Sequence, residues 1–176
     1  MGTVTTPRPA TRASASAGDL PGLYDRHAAE MFAYARLLTR SQTEAEDAVQ
    51  EAFLRVARQA EQLATVRNLR SYLFRVLRNE ALRQRSRWLR WRARDLAGGV
   101  LCLEEAAEPE RRERAREVEA AMQRLPAAQR EVVFLKVWQE LTFAEIGKVF
   151  GVSNNTVASR YRYGIEKLRE LLSDAR

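Results

Sequence analysis

The chain has 176 residues, enough for one ordinary domain or two small ones, and 45% of them are hydrophobic, as a folding sequence requires. It carries 30 Lys and Arg against 23 Asp and Glu, a formal net charge of +7, which favours an anionic partner such as nucleic acid or a membrane surface. One Cys and one His exclude a disulfide framework and the usual zinc-ligand sets, and they leave little from which to build a nucleophilic catalytic site.

The N-terminal residues 1–19 are mostly Thr, Ser, Ala, Pro and Gly, with little to bury, and they predict a disordered tail. An organelle transit peptide is an alternative for this Ser-rich, acid-poor stretch, although it lacks an apolar face. The sequence has no apolar signal core there and no apolar run near the roughly 18 residues that span a bilayer. We therefore expect a cytoplasmic protein.

Residues 20–95 have helical periodicity throughout. An apolar stripe recurs at helical spacing between Ala45 and Ala60, and Thr43 with Glu46 predicts a capping box at its start. The stripes of the flanking helices are Leu23, His27, Met31, Tyr34 and Leu38 on one side, and Leu69, Leu73, Val76, Leu77 and Leu82 on the other. This pattern predicts a small helical bundle.

Residues 96–113 contain Gly and Pro among several Glu and predict an acidic linker. A second module follows over residues 114–176. Pro126 is suited to the first turn of a helix whose inward side chains are predicted to be Val133, Phe134, Val137 and Trp138. Because no strand pattern appears, the predicted fold class is all-α, with two small helical domains joined by a linker.

The stretch from Leu141 to Gly164 has the pattern of a helix-turn-helix. Thr142 with Glu145 predicts a capping box, Gly151 suits the left-handed residue that ends a helix, and Ser153 suits the cap of the next helix. The buried face of that second helix is predicted to be Val157, Tyr161, Ile165, Leu168 and Leu172. An ordinary helical hairpin with a solvated outer face is the alternative.

The outer face of this helix carries side chains that can read DNA. Asn155 and Arg162 can make bidentate bonds to base edges in the major groove, and Ser159 can bond to either kind of base, with Ala158 beside them. Thr156, Arg160 and Lys167 are better suited to phosphates. We therefore predict a DNA-reading helix.

An arginine-rich stretch occupies residues 67–95, where ten arginines stand against Glu80 and Asp95, with Tyr72, Phe74, Trp88 and Trp91 among them. Arginines neutralise a nucleic-acid backbone and rings hold unstacked bases, so this mixture suits opened or single-stranded DNA. Two alternatives remain: a solvated basic face whose aromatic residues are core, and a basic amphipathic helix on a membrane.

An acidic face lies on the predicted helix that contains Ala45 to Arg55. Asp47, Gln50 and Glu51 point away from the apolar stripe. Without a cleft or a metal site they are not a catalytic carboxylate pair. A solvated face is the default interpretation, and a protein-binding face needs further support.

Three segments in this order carry a family resemblance: AEDAVQEAFLRVAR from Ala45, SYLFRVLRNEALRQRSR from Ser71, and the C-terminal stretch from Leu125 to Leu172. Together they resemble an RNA polymerase sigma factor of the extracytoplasmic-function class. The resemblance implies two helical domains, regions two and four, that bind RNA polymerase core and direct it to promoters. It implies an initiation factor and not an enzyme, with no cofactor and no metal, and we expect an anti-sigma factor as a regulatory partner.

The resemblance also assigns residues to surfaces. Those that resemble the surface docking on the polymerase β′ coiled coil are Asp47, Gln50, Glu51, Phe53 and Arg55. The loop from Leu63 to Asn68, with the helix after it, resembles the site for a base flipped from the minus-ten element; its residues are Thr65, Arg67, Asn68, Asn79, Arg83 and Arg87. The residues that resemble the minus-thirty-five reader are Asn155, Thr156, Ala158, Ser159, Arg160 and Arg162.

Some positions depart from the family's pattern. Tyr72 stands where Trp is common, and Arg83 stands where an acid is common. Asn154-Asn155 stands where a Pro or polar residue and a Gly are frequent just before Thr156.

Two other functions stay open on the residues alone. A free-standing helix-turn-helix regulator would use the second domain only, usually as a dimer on a palindrome. A nucleic-acid enzyme would need a metal cluster or an activated nucleophile, which the sequence does not offer.

Overall fold

The computed structural model describes residues 20–59, 63, 65–91 and 109–173, and for residues 85–91 and 109–111 the helical backbone alone. The described ranges contain seven α-helices and no strand, as the sequence predicts. None of these helices is both long and apolar enough to cross a bilayer. The predicted tail and most of the predicted linker lie outside the described residues.

The helices fall into two groups along the chain. The first group is α1 (Leu20–Thr39), α2 (Gln42–Arg58) and α3 (Leu69–Trp91). The second group is α4 (Pro109–Gln123), α5 (Ala127–Val137), α6 (Phe143–Phe150) and α7 (Asn154–Ser173). Helix α4 begins inside the segment that the sequence assigned to the linker.

The first three helices form a bundle around apolar stripes close to the predicted ones. Met31 and Tyr34 of α1 and Leu73 and Leu77 of α3 are fully buried, whereas His27 is only half-buried. The predicted capping box of Thr43 and Glu46 is wrong. The cap of α2 is Ser41, whose hydroxyl oxygen accepts from the backbone N–H of Glu44, so the helix begins two residues earlier than that box requires.

The second domain packs α5 and α7 around a core that includes Met122, Val133 and Phe134. Pro126 stands at the N-cap of α5, one residue before the first turn in which the sequence predicts it. The prediction that Val137 and Trp138 face inward is wrong, because their exposed fractions are 47% and 36%. Helix α5 ends at Val137, so Val137 is its last residue and Trp138 follows it. The helical spacing used for the prediction therefore no longer applies at this point.

The two domains pack against each other. Their buried apolar residues form one continuous cluster, and the ring of Tyr34 in α1 stacks on Phe134 in α5 with the ring centroids 6.0 Å apart. Helix α3 of the first domain also packs along α6 of the second. The predicted DNA-binding elements of the two domains are therefore neighbours.

Candidate nucleic-acid interface

The helix-turn-helix forms as the sequence predicts. The Thr142 hydroxyl accepts from the backbone N–H of Glu145 at 3.2 Å, and a Glu145 carboxylate oxygen accepts from the backbone N–H of Thr142 at 2.7 Å. Gly151 ends α6 with a φ of 70°, in the left-handed region. The Ser153 hydroxyl accepts from the backbone N–H of Thr156 at 3.2 Å and caps α7. These caps fix the exit of α6 and the start of the predicted reading helix.

The outer face of α7 presents the predicted DNA-reading side chains. Asn155, Ser159 and Arg162 are exposed, and Thr156, Ala158 and Arg160 are half-buried. The guanidinium carbon of Arg160 lies 5.7 Å from the centre of the Phe150 ring, and that of Arg162 lies 5.1 Å from the Tyr163 ring. Aromatic rings of this domain thus orient two of the arginines.

The inner face of α7 differs in part from its prediction. Val157 and Leu168 are buried as expected, and the other predicted positions, Tyr161, Ile165 and Leu172, are partly buried. Gly164 and Leu171 are buried although the sequence did not single them out. A Cβ on Gly164 would lie 2.8 Å from a methyl carbon of Val133, so the close approach of α7 to α5 explains the glycine.

The predicted minus-ten residues begin at the N-terminus of α3. Asn68 Oδ1 accepts from the backbone N–H of Ser71 at 2.8 Å and so caps the helix. Thr65 and Arg67 in the loop are exposed, and Asn79 and Arg83 are exposed on α3. A four-residue spacing places Asn79 and Arg83 on one side of that helix. The side chain of Arg87 lies outside the described residues, as do those of Trp88 and Trp91.

The predicted polymerase surface lies on α2. Asp47 and Gln50 are exposed and Glu51 is half-buried. Phe53 is only 9% exposed, and its ring centroid lies 4.8 Å from that of Tyr24 in α1. Tyr24 and Leu54 are exposed by 48% and 42%, and the sequence analysis missed both. The sequence could have identified Leu54 as an exposed apolar residue, because it does not belong to the apolar stripe of α2.

Glu80 joins the predicted polymerase and minus-ten surfaces. It is 1% exposed, and its two carboxylate oxygens lie 2.7 Å from Arg55 Nε and 2.5 Å from Arg83 Nη2. The sequence signal was present, since Glu80 follows Leu77 by three residues and interrupts an apolar stripe.

Glu131 of α5 holds the centre of the contact between the domains. One of its carboxylate oxygens accepts from the Tyr34 hydroxyl at 2.9 Å and from Arg78 Nε at 2.7 Å. Burial, followed by the neighbouring Glu131 carboxylate, raises the pKa of Tyr34 well above its ordinary value. Burial opposes the charge of Arg78, yet its hydrogen bond and charge attraction to Glu131 outweigh burial and raise the pKa of Arg78. The three groups form one hydrogen-bonded network across the boundary.

A second contact joins α3 to the helix-turn-helix. Asn68 Nδ2 donates to a Glu145 carboxylate oxygen at 2.7 Å, and the guanidinium of Arg78 lies 4.4 Å from the centre of the Phe150 ring. Burial alone would raise the pKa of Glu145, but hydrogen bonds from Thr142 and Asn68 outweigh burial and lower it. In this arrangement, predicted DNA-contacting residues of the first domain face the second domain.

The chain matches two family descriptions, Sigma-70 region 2 over residues 23–95 and Sigma-70, region 4 over residues 115–168. The extracytoplasmic-function (ECF) RNA polymerase sigma factor SigL of Mycobacterium tuberculosis is 33% identical over 172 residues, which cover 92% of this chain and 93% of SigL. The ECF RNA polymerase sigma factor SigM of the same organism is 31% identical over 150 residues, covering 85% of this chain and 75% of SigM.

Two solved structures share the fold. The sigma factor RpoE in complex with the anti-sigma factor NepR from Bartonella quintana has a TM-score of 0.72 and 23% identity, over 90% of this chain and 99% of that chain. CnrH in complex with the cytosolic domain of CnrY has a TM-score of 0.65 and 22% identity, over 93% of each chain. Both likenesses extend across both helical domains.

Proposed function

Because the chain belongs to the ECF RNA polymerase sigma factors, we propose that it uses separate surfaces of its two domains for polymerase, for the minus-ten element and for the minus-thirty-five element. As a sigma factor it binds RNA polymerase core and directs promoter-specific initiation. The family match covers both domains in order, whereas a free-standing helix-turn-helix regulator would account for the second alone. Residues 20–95 are proposed as region two, 96–113 as a linker, and 114–176 as region four.

The exposed acidic face of α2 is the proposed docking surface for the polymerase β′ coiled coil. Asp47, Gln50 and Glu51 supply its polar centre, and Arg55 extends it toward α3. Phe53 is buried and does not contact the partner directly. Its ring packs against Tyr24, whose exposed ring can contact a partner. An acidic patch beside exposed apolar side chains is suited to a protein partner, because apolar contacts supply affinity and charges supply orientation.

The loop before α3 and the exposed side of α3 are the proposed minus-ten surface. Arg67, Asn79 and Arg83 are exposed on this side, Arg83 while paired with Glu80, and Asn68 joins them once its bond to Glu145 opens. The basic residues can neutralise phosphates, while asparagine amides can bond to the edge of an unstacked base. Arg87 and Thr65 extend the same proposed surface by their positions in the sequence.

The outer face of α7 is the proposed minus-thirty-five reader. The exposure of Asn155, Ser159 and Arg162 at the N-terminal half of the second helix of a helix-turn-helix supports this assignment. Thr156, Ala158 and Arg160 border the same face, where a hydroxyl and a guanidinium can contact phosphates.

We further propose that an anti-sigma factor regulates the chain by holding its domains together. The observation that motivates this is the packing of α3 on α6, which brings Asn68 against Glu145. One similar solved structure is a sigma factor in complex with an anti-sigma factor, and the other is CnrH in complex with the cytosolic domain of CnrY. The test is to recover the chain from native extract, identify each co-purifying protein, and add it to purified sigma and polymerase in a transcription assay. Recovery of polymerase alone, or of proteins that do not inhibit, would contradict this proposal.

The exposed acidic face of α2 is the observation that supports the main proposal, binding to RNA polymerase core. The test of this proposal is complex formation with core polymerase. Purified chain and core should co-elute on gel filtration, and Asp47→Lys should abolish co-elution because it reverses a charge at the centre of the docking surface. Glu117→Lys is the matched control, since it makes the same charge change at an exposed position of α4. Equal co-elution of wild type and Asp47→Lys would show that the docking surface lies elsewhere.

A further inference from the structure

Tyr163 is an exposed aromatic residue on the DNA-reading side of α7. Its exposed fraction is 51%, the largest among the large hydrophobic residues that the structure describes. Ser159 precedes it by four residues, so the two are neighbours on one side of the helix. Tyr161 is instead half-buried, with its ring centroid 5.5 Å from that of Phe143. Core packing therefore explains Tyr161 but does not explain Tyr163.

The ring of Tyr163 contacts the guanidinium of Arg162. The guanidinium carbon lies 5.1 Å from the ring centre, and Nη2 donates to the Tyr163 hydroxyl oxygen at 3.4 Å. Consecutive residues of a helix do not face each other, so this contact requires the arginine side chain to fold across the helix surface onto the ring. The guanidinium is therefore held in one particular orientation.

A carboxylate stands within helical reach of Arg162 but does not pair with it. Glu166 follows Arg162 by four residues, a spacing at which opposite charges on a helix can interact. Among the described residues Arg162 has no ion pair, whereas Lys167 pairs with Glu170 on the same helix at 2.8 Å. The positive charge of Arg162 is therefore not neutralised by a carboxylate and is available to DNA.

The Tyr163 ring has a fixed place beside the predicted reading residues. Side chains of an α-helix lean toward its N-terminus, so Arg162 and Tyr163 both lie over the turn that contains Ser159. The backbone next to the ring is close to α5, because a Cβ on Gly164 would lie 2.8 Å from a methyl carbon of Val133. The ring therefore stands on a part of α7 that the domain core holds in place.

We propose that Tyr163 is a positioning residue for base recognition, whose ring holds the Arg162 guanidinium over the turn of Ser159. An exposed arginine without such a contact samples many rotamers, and ordering them on binding costs free energy. Nη2 alone donates to the Tyr163 hydroxyl, so other N–H donors of the guanidinium remain for a base edge. Tyr163 thereby sharpens the discrimination of the base pair that Arg162 contacts, an inference that rests on the proposed minus-thirty-five reader.

The test is selection of randomised DNA duplexes by the purified full-length chain, followed by sequencing of the bound fraction. Wild type should enrich a short preferred sequence, and Arg162→Ala should lose discrimination at one base pair of it. Tyr163→Ala should reduce discrimination at that same base pair about threefold, as expected for the loss of an exposed cation–π contact. Tyr163→Phe keeps an aromatic ring and should retain most of the discrimination.

A double variant separates a positioning role from a direct contact with DNA. If Tyr163 acts through Arg162, Tyr163→Ala should have no further effect in the Arg162→Ala background. Arg169→Ala is the control, since Arg169 is an exposed arginine of the same helix, and it should leave the preferred sequence unchanged. A further loss in the Arg162→Ala background would overturn the proposal, as would equal losses in Tyr163→Phe and Tyr163→Ala.

Failure of the proposed function gives a different result from failure of this inference. A wild-type chain that enriches no sequence, or an Arg162→Ala variant that keeps full discrimination, would contradict the reading role of this face of α7, and the inference would fall with it. Lost discrimination in Arg162→Ala with none lost in Tyr163→Ala would retain the reader and reject the positioning role alone.

Discussion

Asn68 and Glu145 are bonded across the domain boundary, with Nδ2 of the asparagine 2.7 Å from a carboxylate oxygen of the glutamate. The Oδ1 atom of the same asparagine caps α3 through the Ser71 backbone N–H. Both polar atoms of this predicted minus-ten residue are therefore engaged while the domains are packed together.

Glu145→Ala should increase the affinity of the free chain for a single-stranded minus-ten oligonucleotide, because it releases the Asn68 amide. We expect a gain of about fivefold, since the bond is only part-buried and its net value is about 1 kcal/mol. Fluorescence anisotropy measures the affinity. Thr142→Ala is the control, since it weakens the same capping box and leaves the Asn68 bond in place. An equal gain in both variants would attribute the effect to the loss of the cap.

Glu131→Ala should separate the two domains. It leaves Tyr34 and Arg78 without their shared acceptor at a buried position, and removal of one partner of a buried ion pair costs about 3 kcal/mol. The radius of gyration, measured by small-angle X-ray scattering, should rise. Glu117→Ala removes an exposed glutamate of the same domain and should not change the radius. An unchanged radius in Glu131→Ala would show that apolar packing alone holds the domains together.

Arg162→Ala and Asn155→Ala should each reduce discrimination within the minus-thirty-five element. A good bidentate contact to a base contributes about 1–3 kcal/mol, so binding to the preferred element should fall while binding to mutated elements changes less. Competition binding of promoter variants to the polymerase holoenzyme measures this. Arg169→Ala is matched in charge and lies exposed toward the C-terminal end of α7. Unchanged promoter preference in both variants would contradict the assignment of this helix face.

Glu80→Gln should weaken two activities together. The carboxylate holds Arg55 through one oxygen and Arg83 through the other, and the amide can accept through its single oxygen but no longer carries the balancing charge. We expect core affinity and minus-ten strand affinity each to fall about threefold to tenfold, since the arginines are half-exposed and retain solvent. The preference for minus-thirty-five sequences should persist. A change confined to one activity would show that Glu80 does not couple the surfaces.

The contribution of Glu145 to stability should depend on pH. Its pKa in the folded chain is below the ordinary value of 4.5, so the stabilisation is present above that value and is lost as the pH falls through the lowered pKa. Urea denaturation should give a smaller difference in unfolding free energy between pH 7 and pH 3 for Glu145→Gln than for wild type. Glu117→Gln serves as the control and should match wild type. Identical pH dependence in all three would contradict a role for the Glu145 charge.

The helix-turn-helix could be predicted from the sequence because its signals are local. The Thr142 box, Gly151 and Ser153 each act on backbone within four residues. The misassigned cap of α2 shows the limit of that approach, since Ser41 and Thr43 both offer a hydroxyl near the start of the helix and only the observed backbone angles select Ser41.

The packing between the domains could not be predicted from the sequence. Glu131 and Arg78 lie on helices where charged residues normally face solvent, and the burial of Glu131 and the partial burial of Arg78 result from contacts between residues far apart in the chain. Trp138 was mispredicted for a different, local reason: its apolar side chain suggests burial, but it lies beyond the end of α5 and is exposed. Periodicity identifies which face of a helix is apolar, but it does not identify which polar residues a second domain covers.

The most direct test of the central claim is reconstituted transcription. Purified chain and RNA polymerase core should together initiate at defined promoters in a genomic template, with start sites mapped by sequencing. Core alone should not initiate there, and Asp47→Lys with core should give little product. The account predicts that the mapped promoters share a minus-ten and a minus-thirty-five element. Unchanged start sites with and without the chain would contradict it.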